Sequence, residues 1–397
     1  MGFVYVVLGA GRQGVALAYD LAANGEAERV TLVDNDAGAA ARAVTRLQAL
    51  LPDCACDLAG VAGDASRPDS IVPHVAGAQV VVSAVPYRFN VALTDLALAA
   101  GASFCDLGGN TLIVLQQLAR HAPAKAAGIS VVPDCGLAPG LGNILAAHGV
   151  AGLDEPAHVQ IRCGGLPERP VAPLGYKLAF SFEGLINEYS GCGEFLRDGQ
   201  RVDVPALTEL EEIEFPPPLG RCEAAVTSGG TSTCAETFRG RLKTFDYKTV
   251  RYPGHFALVR ALFGLGCFEE RLTLRDGSTI EPRALLRRLM EERLAFPELR
   301  DIVVLRCTVR GRRQGQPCVR RYDVLDQQDE RTGFTAMERM TAFPAALVAY
   351  MQARRLIEAG AQPLEVALPL DRYFDELPQH DVHVTLSDDL AGAGTAR

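Results

Sequence analysis

Residues 3 to 34 constrain the fold of this chain most: an apolar run FVYVVL, the loop GAGRQG, an alanine-rich helix and a second strand ending in VTLVDND. Strand, glycine loop, helix and acidic strand end, in that order, describe the opening unit of a dinucleotide-binding domain. Gly9 permits the tight turn out of the strand, Gly11 lets the backbone approach a pyrophosphate, and Gly14 lets the helix pack closely on the sheet. The helix N-terminus, with unpaired N–H groups and the positive end of its dipole, favours an anion there. Asp34 follows Gly14 by about 20 residues, where a carboxylate accepts the ribose hydroxyls and repels a 2′-phosphate. Asp36 adds to that repulsion, so NAD is expected over NADP. Arg12 and Gln13 are candidate phosphate contacts, with an exposed loop as the competing reading.

The alternation of strand and helix continues. A helix AGAAARAVTRLQALL stops at Pro52, and a strand LAGVAG leads into the loop GDAS. Ligands of doubly wound sheets lie beyond the carboxyl ends of the strands, which places Asp64 and Ala65 beside the adenine, or makes Asp64 a turn cap. The strand QVVVSAVP ends in Ser83, Ala84, Val85 and Pro86, at the same crevice. A helix over 90–100, the strand SFCDLGG, a helix over 111–127 and ISVVPD complete six strands. The loop DCGLAPGLGN then opens a helix, with Pro139 and Asn143 suiting an N-terminus aimed into the crevice.

After about Gly152 the texture changes, and HVQIRCGG, LAFSF and CEAAVTSGG resemble strands bounded by glycine and proline. PPPL at 216–219 reads as a stiff surface connection, and the arginines between 306 and 321 as two strands around an exposed turn. A helical pattern returns over 335–360, with Met337, Met340, Phe343, Leu347, Val348 and Met351 as a core stripe and Pro344 opening its second half. The expectation is an α/β protein. A Rossmann doubly wound parallel sheet fills residues 1–150, an α+β substrate and dimerisation domain 151–333, and a C-terminal helical return and tail 334–397, frayed after Asp388.

At 397 residues with 48% hydrophobic and 22% charged content, the chain has enough apolar surface for two cores. Its net charge of −9 and lack of a long basic run exclude a nucleic-acid partner reached by phosphate neutralisation. No apolar segment has the length of a membrane span, so a soluble cytoplasmic protein is expected. Most of the 11 scattered cysteines read as buried thiols, and no paired spacing points to a metal.

The chemistry concentrates in FDYKTVRYPGHFALV, where Lys248, Thr249, Arg251, Tyr252 and His255 fall together. Arg251 suits a substrate carboxylate, because a guanidinium donates two parallel N–H bonds to its oxygens. In an extended strand Thr249 and Arg251 face one side and Lys248 and Tyr252 the other, so only a subset can share a site. A second polar group, with Tyr176, Glu183, Glu188 and Tyr189, lies in PLGYKLAFSFEGLINEYSG; a Glu there receives the positive end of a substrate or marks an exposed helix face.

With GAGRQG, VVPDCGLAPGLGN, PLGYKLAFSFEGLINEYS, KTVRYPGH and TAMERMTAFPAA in this order across nearly the whole length, the chain resembles the lysine 6-dehydrogenases of the saccharopine dehydrogenase-like family. That resemblance implies NAD-dependent oxidative deamination at the ε-carbon of L-lysine, a homodimer through the second domain, and a substrate between the domains. It further suggests Arg251 on the α-carboxylate, His255 as preferred proton shuttle with Lys248 as competitor, Asp134 orienting amine or water, and Thr249, Tyr176 and Tyr252 as substrate contacts. Two alternatives are a dehydrogenase of secondary amines, of the saccharopine or carboxynorspermidine type, and a non-catalytic nucleotide sensor.

Overall fold

The computed structural model describes residues 2–390. Short all-apolar strands need cover on both faces, and helices from the intervening segments supply it in the first half of the chain. Six parallel strands, β1 (Phe3–Leu8), β2 (Ala27–Asp34), β3 (Asp57–Ala62), β4 (Val80–Ser83), β5 (Ser103–Asp106) and β6 (Ser130–Val132), lie in the order β3-β2-β1-β4-β5-β6. This is the doubly wound dinucleotide-binding order, with its switch point between β1 and β4. A seventh strand, Gly360–Ala361, returns from the C-terminal segment and pairs in parallel with β6.

The second sheet is mixed. It contains β7 (Glu155–Pro167), β8 (Cys192–Arg197), β9 (Gln200–Pro205), β10 (Glu211–Phe215), β11 (Gly220–Val226), β12 (Thr244–Arg251) and the strands Asp301–Arg313, Gln316–Gln327 and Thr385–Leu390. β7 and β12 pair in parallel at its centre; the other pairings are antiparallel. The arginine-rich stretch forms the expected hairpin, turning at Gln314 and Gly315, both at positive φ. The PPPL segment makes the tight connection from β10 to β11, its prolines exposed and Leu219 buried.

The helix Ala336–Ala353 joins the two halves. Thr335 caps it and Glu338 reaches back to the Thr335 amide, a capping box. The expected apolar stripe is buried, but the whole helix except Thr341 is buried too, because it runs between the sheets and against the helix Arg12–Asn24. It continues through Pro344 without a second start.

Three local expectations are corrected. LAFSF is not a strand: Ser181 accepts from the Gly184 amide at 3.1 Å and starts the helix Phe182–Tyr189 instead. The helix expected over 111–127 breaks into Thr111–Leu118 and His121–Ala127. A continuous helix would place Pro123 in its interior, whereas the break puts it in a first turn, where its missing N–H is not needed. Of the tail expected to fray, Asp389 and Leu390 belong to a strand paired with Gln316–Gln327; residues 391–397 lie outside the described residues.

Candidate functional site

The glycine loop makes a tight turn from strand to helix, and its three glycines have different surroundings. Gly9 has φ +100°, and a Cβ on Gly14 would lie 1.8 Å from the Gly9 carbonyl oxygen, so the turn and the helix lock onto each other. A Cβ on Gly11 would meet nothing within 4 Å, which leaves open space at the helix N-terminus for a phosphate. Asp34 ends β2 and clasps the loop, its Oδ2 accepting from the Ala10 amide at 2.7 Å and its Oδ1 from the Asp36 amide at 2.9 Å. Ser83, hydrogen-bonded to Asn90 at 2.7 Å, pairs with Leu8, and Ala84 and Val85 abut Gly9, so the segment through Pro86 borders the same switch point.

Other candidates turn elsewhere. Arg12 reaches Glu338 at 2.6 Å and Thr335 at 3.2 Å, and Gln13 donates to the Met337 carbonyl at 3.2 Å. Both tie the loop to the C-terminal helix rather than facing a phosphate. Asp64 caps its own turn, accepting from the amide and hydroxyl of Ser66 at 2.9 and 2.7 Å and from Arg67 at 3.1 Å. Ala65 packs against the core beneath it.

In β12 the alternation of faces separates the candidates. Lys248 pairs with Glu211 at 2.9 Å and donates to the Glu209 carbonyl at 2.6 Å, beside the buried ion pairs of Arg162 with Asp246 and Glu211. The Tyr252 hydroxyl donates to the Pro167 carbonyl at 3.0 Å, and its ring joins a cluster with Leu166 and Phe215. Both lie on the sheet face opposite Arg251, so neither shares its site. Thr249 does share that face, hydrogen-bonded to Thr227 at 2.7 Å.

Arg251 is buried between aromatic rings, its guanidinium 4.9 Å from the Tyr176 centroid and 5.9 Å from that of Tyr189. Nε donates to the Tyr189 hydroxyl at 3.1 Å, Nη1 to the Val250 carbonyl at 2.9 Å and Nη2 to Glu188 at 3.3 Å. Three of the five guanidinium N–H bonds are used and two have no acceptor among the described residues. The buried Tyr176 hydroxyl beside it has no hydrogen-bond partner among the described residues.

His255 is not placed to move protons. Its Nδ1 lies 2.9 Å from the Leu174 carbonyl, which requires the proton on Nδ1, and Nε2 then accepts from the Tyr189 hydroxyl at 2.7 Å. Burial and the neighbouring Arg251 charge bring its pKa down to about 3. Both ring nitrogens are engaged, and the neutral ring anchors Tyr189, which in turn anchors Arg251.

A different group has the properties of a base. Asp134 follows β6 in the left-handed conformation, φ +64°, with Oδ2 accepting from the Ser232 hydroxyl and Oδ1 without a hydrogen-bond partner among the described residues. Burial, and then the charge of Asp106, push its pKa up to about 7, against the Ser232 hydrogen bond. A Cβ on Gly108 would come within 2.1 Å of Oδ1, so glycine is required beside it. Ser232 is itself at φ +45°, and two non-glycine residues strained in contact mark a constrained site. The loop from Thr227, bonded to Thr249, to Ser232, bonded to Asp134, links the two ends of the constellation. Asn187, next to Glu188, donates to the Gly109 carbonyl at 3.1 Å and joins the two domains there. Ser232 and Gly108 escaped the sequence reading; for Ser232 the run TSGGTST, too polar and small for a core strand, was the available signal.

Among the described residues no group of histidine, cysteine and carboxylate side chains is arranged to hold a metal, the cysteines are free thiols, and no helix is long and apolar enough to cross a membrane.

The chain matches two family models in tandem: saccharopine dehydrogenase NADP binding domain over residues 5–132 and saccharopine dehydrogenase C-terminal domain over residues 136–382. An alpha-aminoadipic semialdehyde synthase of Arabidopsis thaliana is 27% identical over 267 residues, 59% of this chain and 23% of that protein. A saccharopine dehydrogenase [NADP(+), L-glutamate-forming] of Pyricularia oryzae is 26% identical over 203 residues, 49% of this chain and 44% of that protein. The chain thus spans less than half the length of either relative. The apo structure of saccharopine dehydrogenase (L-Glu forming) from Saccharomyces cerevisiae covers 98% of this chain and 100% of its own with a TM-score of 0.76 at 19% identity, a shared fold. With both halves of its architecture matched in order, the chain belongs to the saccharopine dehydrogenase family.

Proposed function

We propose that the chain is an NAD-dependent dehydrogenase that deaminates L-lysine at its ε-carbon, yielding ammonia and allysine, which closes to Δ1-piperideine-6-carboxylate. One observation carries the reading: a carboxyl poised near neutrality, Asp134, is linked by a single loop to a buried guanidinium with two free N–H bonds, Arg251. The glycine loop suits a dinucleotide, because the space before Gly11 is open while Gly9 and Gly14 hold the turn. Gly9, Gly11 and Gly14, Asp34 and the Ser83–Pro86 segment would hold it. Arg42, 3.2 Å from Asp36, is the nearby cation that a 2′-phosphate would need; Asp36 neutralises it, and Asp34 repels the phosphate.

A bound nicotinamide, its dinucleotide held by the glycine loop, Asp34 and the Ser83–Pro86 segment, would supply the hydride acceptor for the ε-carbon. The substrate's free ammonium titrates near ~10.4 and must lose its proton first. Asp134 takes that proton and, once deprotonated again, takes one from the water that adds to the iminium carbon. Arg251 holds the α-carboxylate, and Tyr176 and Thr249 line its side of the cleft. The balance is ammonium substrate, NAD⁺ and water to aldehyde, NH₄⁺, NADH and a proton. A homodimer through the second domain belongs to the same proposal.

Purified protein is expected to form NADH and release ammonia with L-lysine, faster with NAD than with NADP. The match to an NADP binding domain favours a second reading, oxidation of a secondary amine such as saccharopine. Silence with lysine and NAD beside turnover of saccharopine with NADP would establish that reading instead.

A further inference from the structure

We infer that Glu188 and Arg251 form a recognition pair for the head group of an L-α-amino acid, Arg251 taking the α-carboxylate and Glu188 the α-ammonium. The inference rests on the carboxylate-binding role of Arg251 proposed above and adds the feature that demands a free α-amine.

Glu188 stands on the last turn of the helix Phe182–Tyr189, where the negative end of the helix dipole disfavours a carboxylate. Its side chain is only 27% exposed, and burial raises its pKa against the opposing Arg251 charge. A carboxylate kept in so unfavourable a place has a use for a cation. Arg251 serves it poorly, through one contact at 3.3 Å from Nη2 to Oε2, while its Nε donates to Tyr189 and one Nη1 hydrogen to the Val250 carbonyl. Glu183, at the start of the same helix, is exposed and pairs with Arg283 and Arg287, an ordinary solvated surface glutamate.

The backbone at Glu188 is fixed from both sides. Asn187 donates to the Gly109 carbonyl, the Ser228 amide donates to the Glu188 carbonyl at 2.8 Å, and Tyr189 is held by His255 and Arg251. An anchored carboxylate beside an anchored guanidinium presents negative and positive charge about one residue's head group apart. An α-ammonium and α-carboxylate on a single carbon complement that arrangement. Each would then exchange the single long contact between Glu188 and Arg251 for charge-assisted hydrogen bonds of its own.

The test uses ligands that cannot react. L-norleucine has the α-amino acid head and the chain of lysine but no ε-amine, and hexanoate lacks the α-amine as well. Titration calorimetry with the NAD-loaded protein is expected to show norleucine binding more tightly than hexanoate. Glu188→Gln should weaken norleucine by about 10- to 100-fold, the loss of a hydrogen bond to a charged group, and leave hexanoate within about 2-fold. Glu188→Asp, which keeps the charge, should fall between, and unchanged NAD affinity in both variants reports an intact fold. Equal affinity of the wild type for the two ligands, or equal weakening of both by Glu188→Gln, would overturn the assignment. Absence of lysine oxidation with norleucine binding intact and sensitive to Glu188 would instead refute only the proposed reaction.

Discussion

In the proposed reaction Asp134 and His255 exchange the roles that their unperturbed chemistry would assign. An imidazole titrates near neutrality in water and a carboxyl does not, but burial disfavours whichever form is charged, lowering His255 to about 3 and raising Asp134 to about 7. Asp134→Asn is expected to lower kcat by about 10²- to 10⁴-fold and to abolish the decline in activity as pH falls through about 7; an unchanged kcat would remove Asp134 from the reaction. The same residue costs stability at neutral pH. Its folded pKa lies above the unfolded value of roughly 3.9, so its contribution is full below that value and is lost as pH rises through about 7. Asp134→Asn should therefore melt at a higher temperature than the wild type at pH 8, an advantage that shrinks toward pH 4. His255→Gln is expected to raise the KM for lysine by loosening Tyr189 and Arg251 while leaving the pH position of that decline unmoved. A shifted decline would return the proton to His255. At this scale the strand period alone separated Thr249 and Arg251 from Lys248 and Tyr252, because side chains alternate. The identity of the base was not legible, because it depends on what surrounds each group.

The glycine loop shows how much of an element local sequence can specify. Gly14 and Gly11 are both glycines of one motif, yet an added methyl meets the Gly9 carbonyl at 1.8 Å in one case and open space in the other. Gly14→Ala is expected to lower the melting temperature, at a cost of about 1–3 kcal/mol for overpacking, and to lose NAD binding with it. Gly11→Ala should melt like the wild type and bind NAD more weakly, because the methyl occupies the phosphate's space. Thermal denaturation beside NAD titration separates the two, and normal NAD affinity in Gly11→Ala would move the pyrophosphate elsewhere. The failed expectations also lie at this scale. LAFSF has the composition of a strand, but the Ser181 cap commits the chain to a helix; Pro123 splits a segment whose apolar pattern reads as one helix.

One continuous hydrophobic core runs through the molecule, from Val7 and Leu17 in the nucleotide domain through Leu347 in the C-terminal helix to Val303 and Cys307 in the second sheet. Leu347→Ala is expected to cost about 2–5 kcal/mol, as large-to-small changes in a packed core do, and to lower a single unfolding transition shared by both halves. Circular dichroism and calorimetry giving separate transitions would show that the halves unfold independently. The C-terminal segment serves both sheets, adding Gly360–Ala361 to the first and Thr385–Leu390 to the second. Local pattern was enough for the nucleotide unit, since strand, turn, helix and acidic end sit within about 32 consecutive residues and answer to neighbouring atoms. The candidate constellation draws Asp134, Glu188, Tyr189, Ser232, Arg251 and His255 from separate segments. Their pKa values, tautomer and free hydrogen bonds arise from desolvation and charge across those segments, quantities that exist only once the chain has closed on itself.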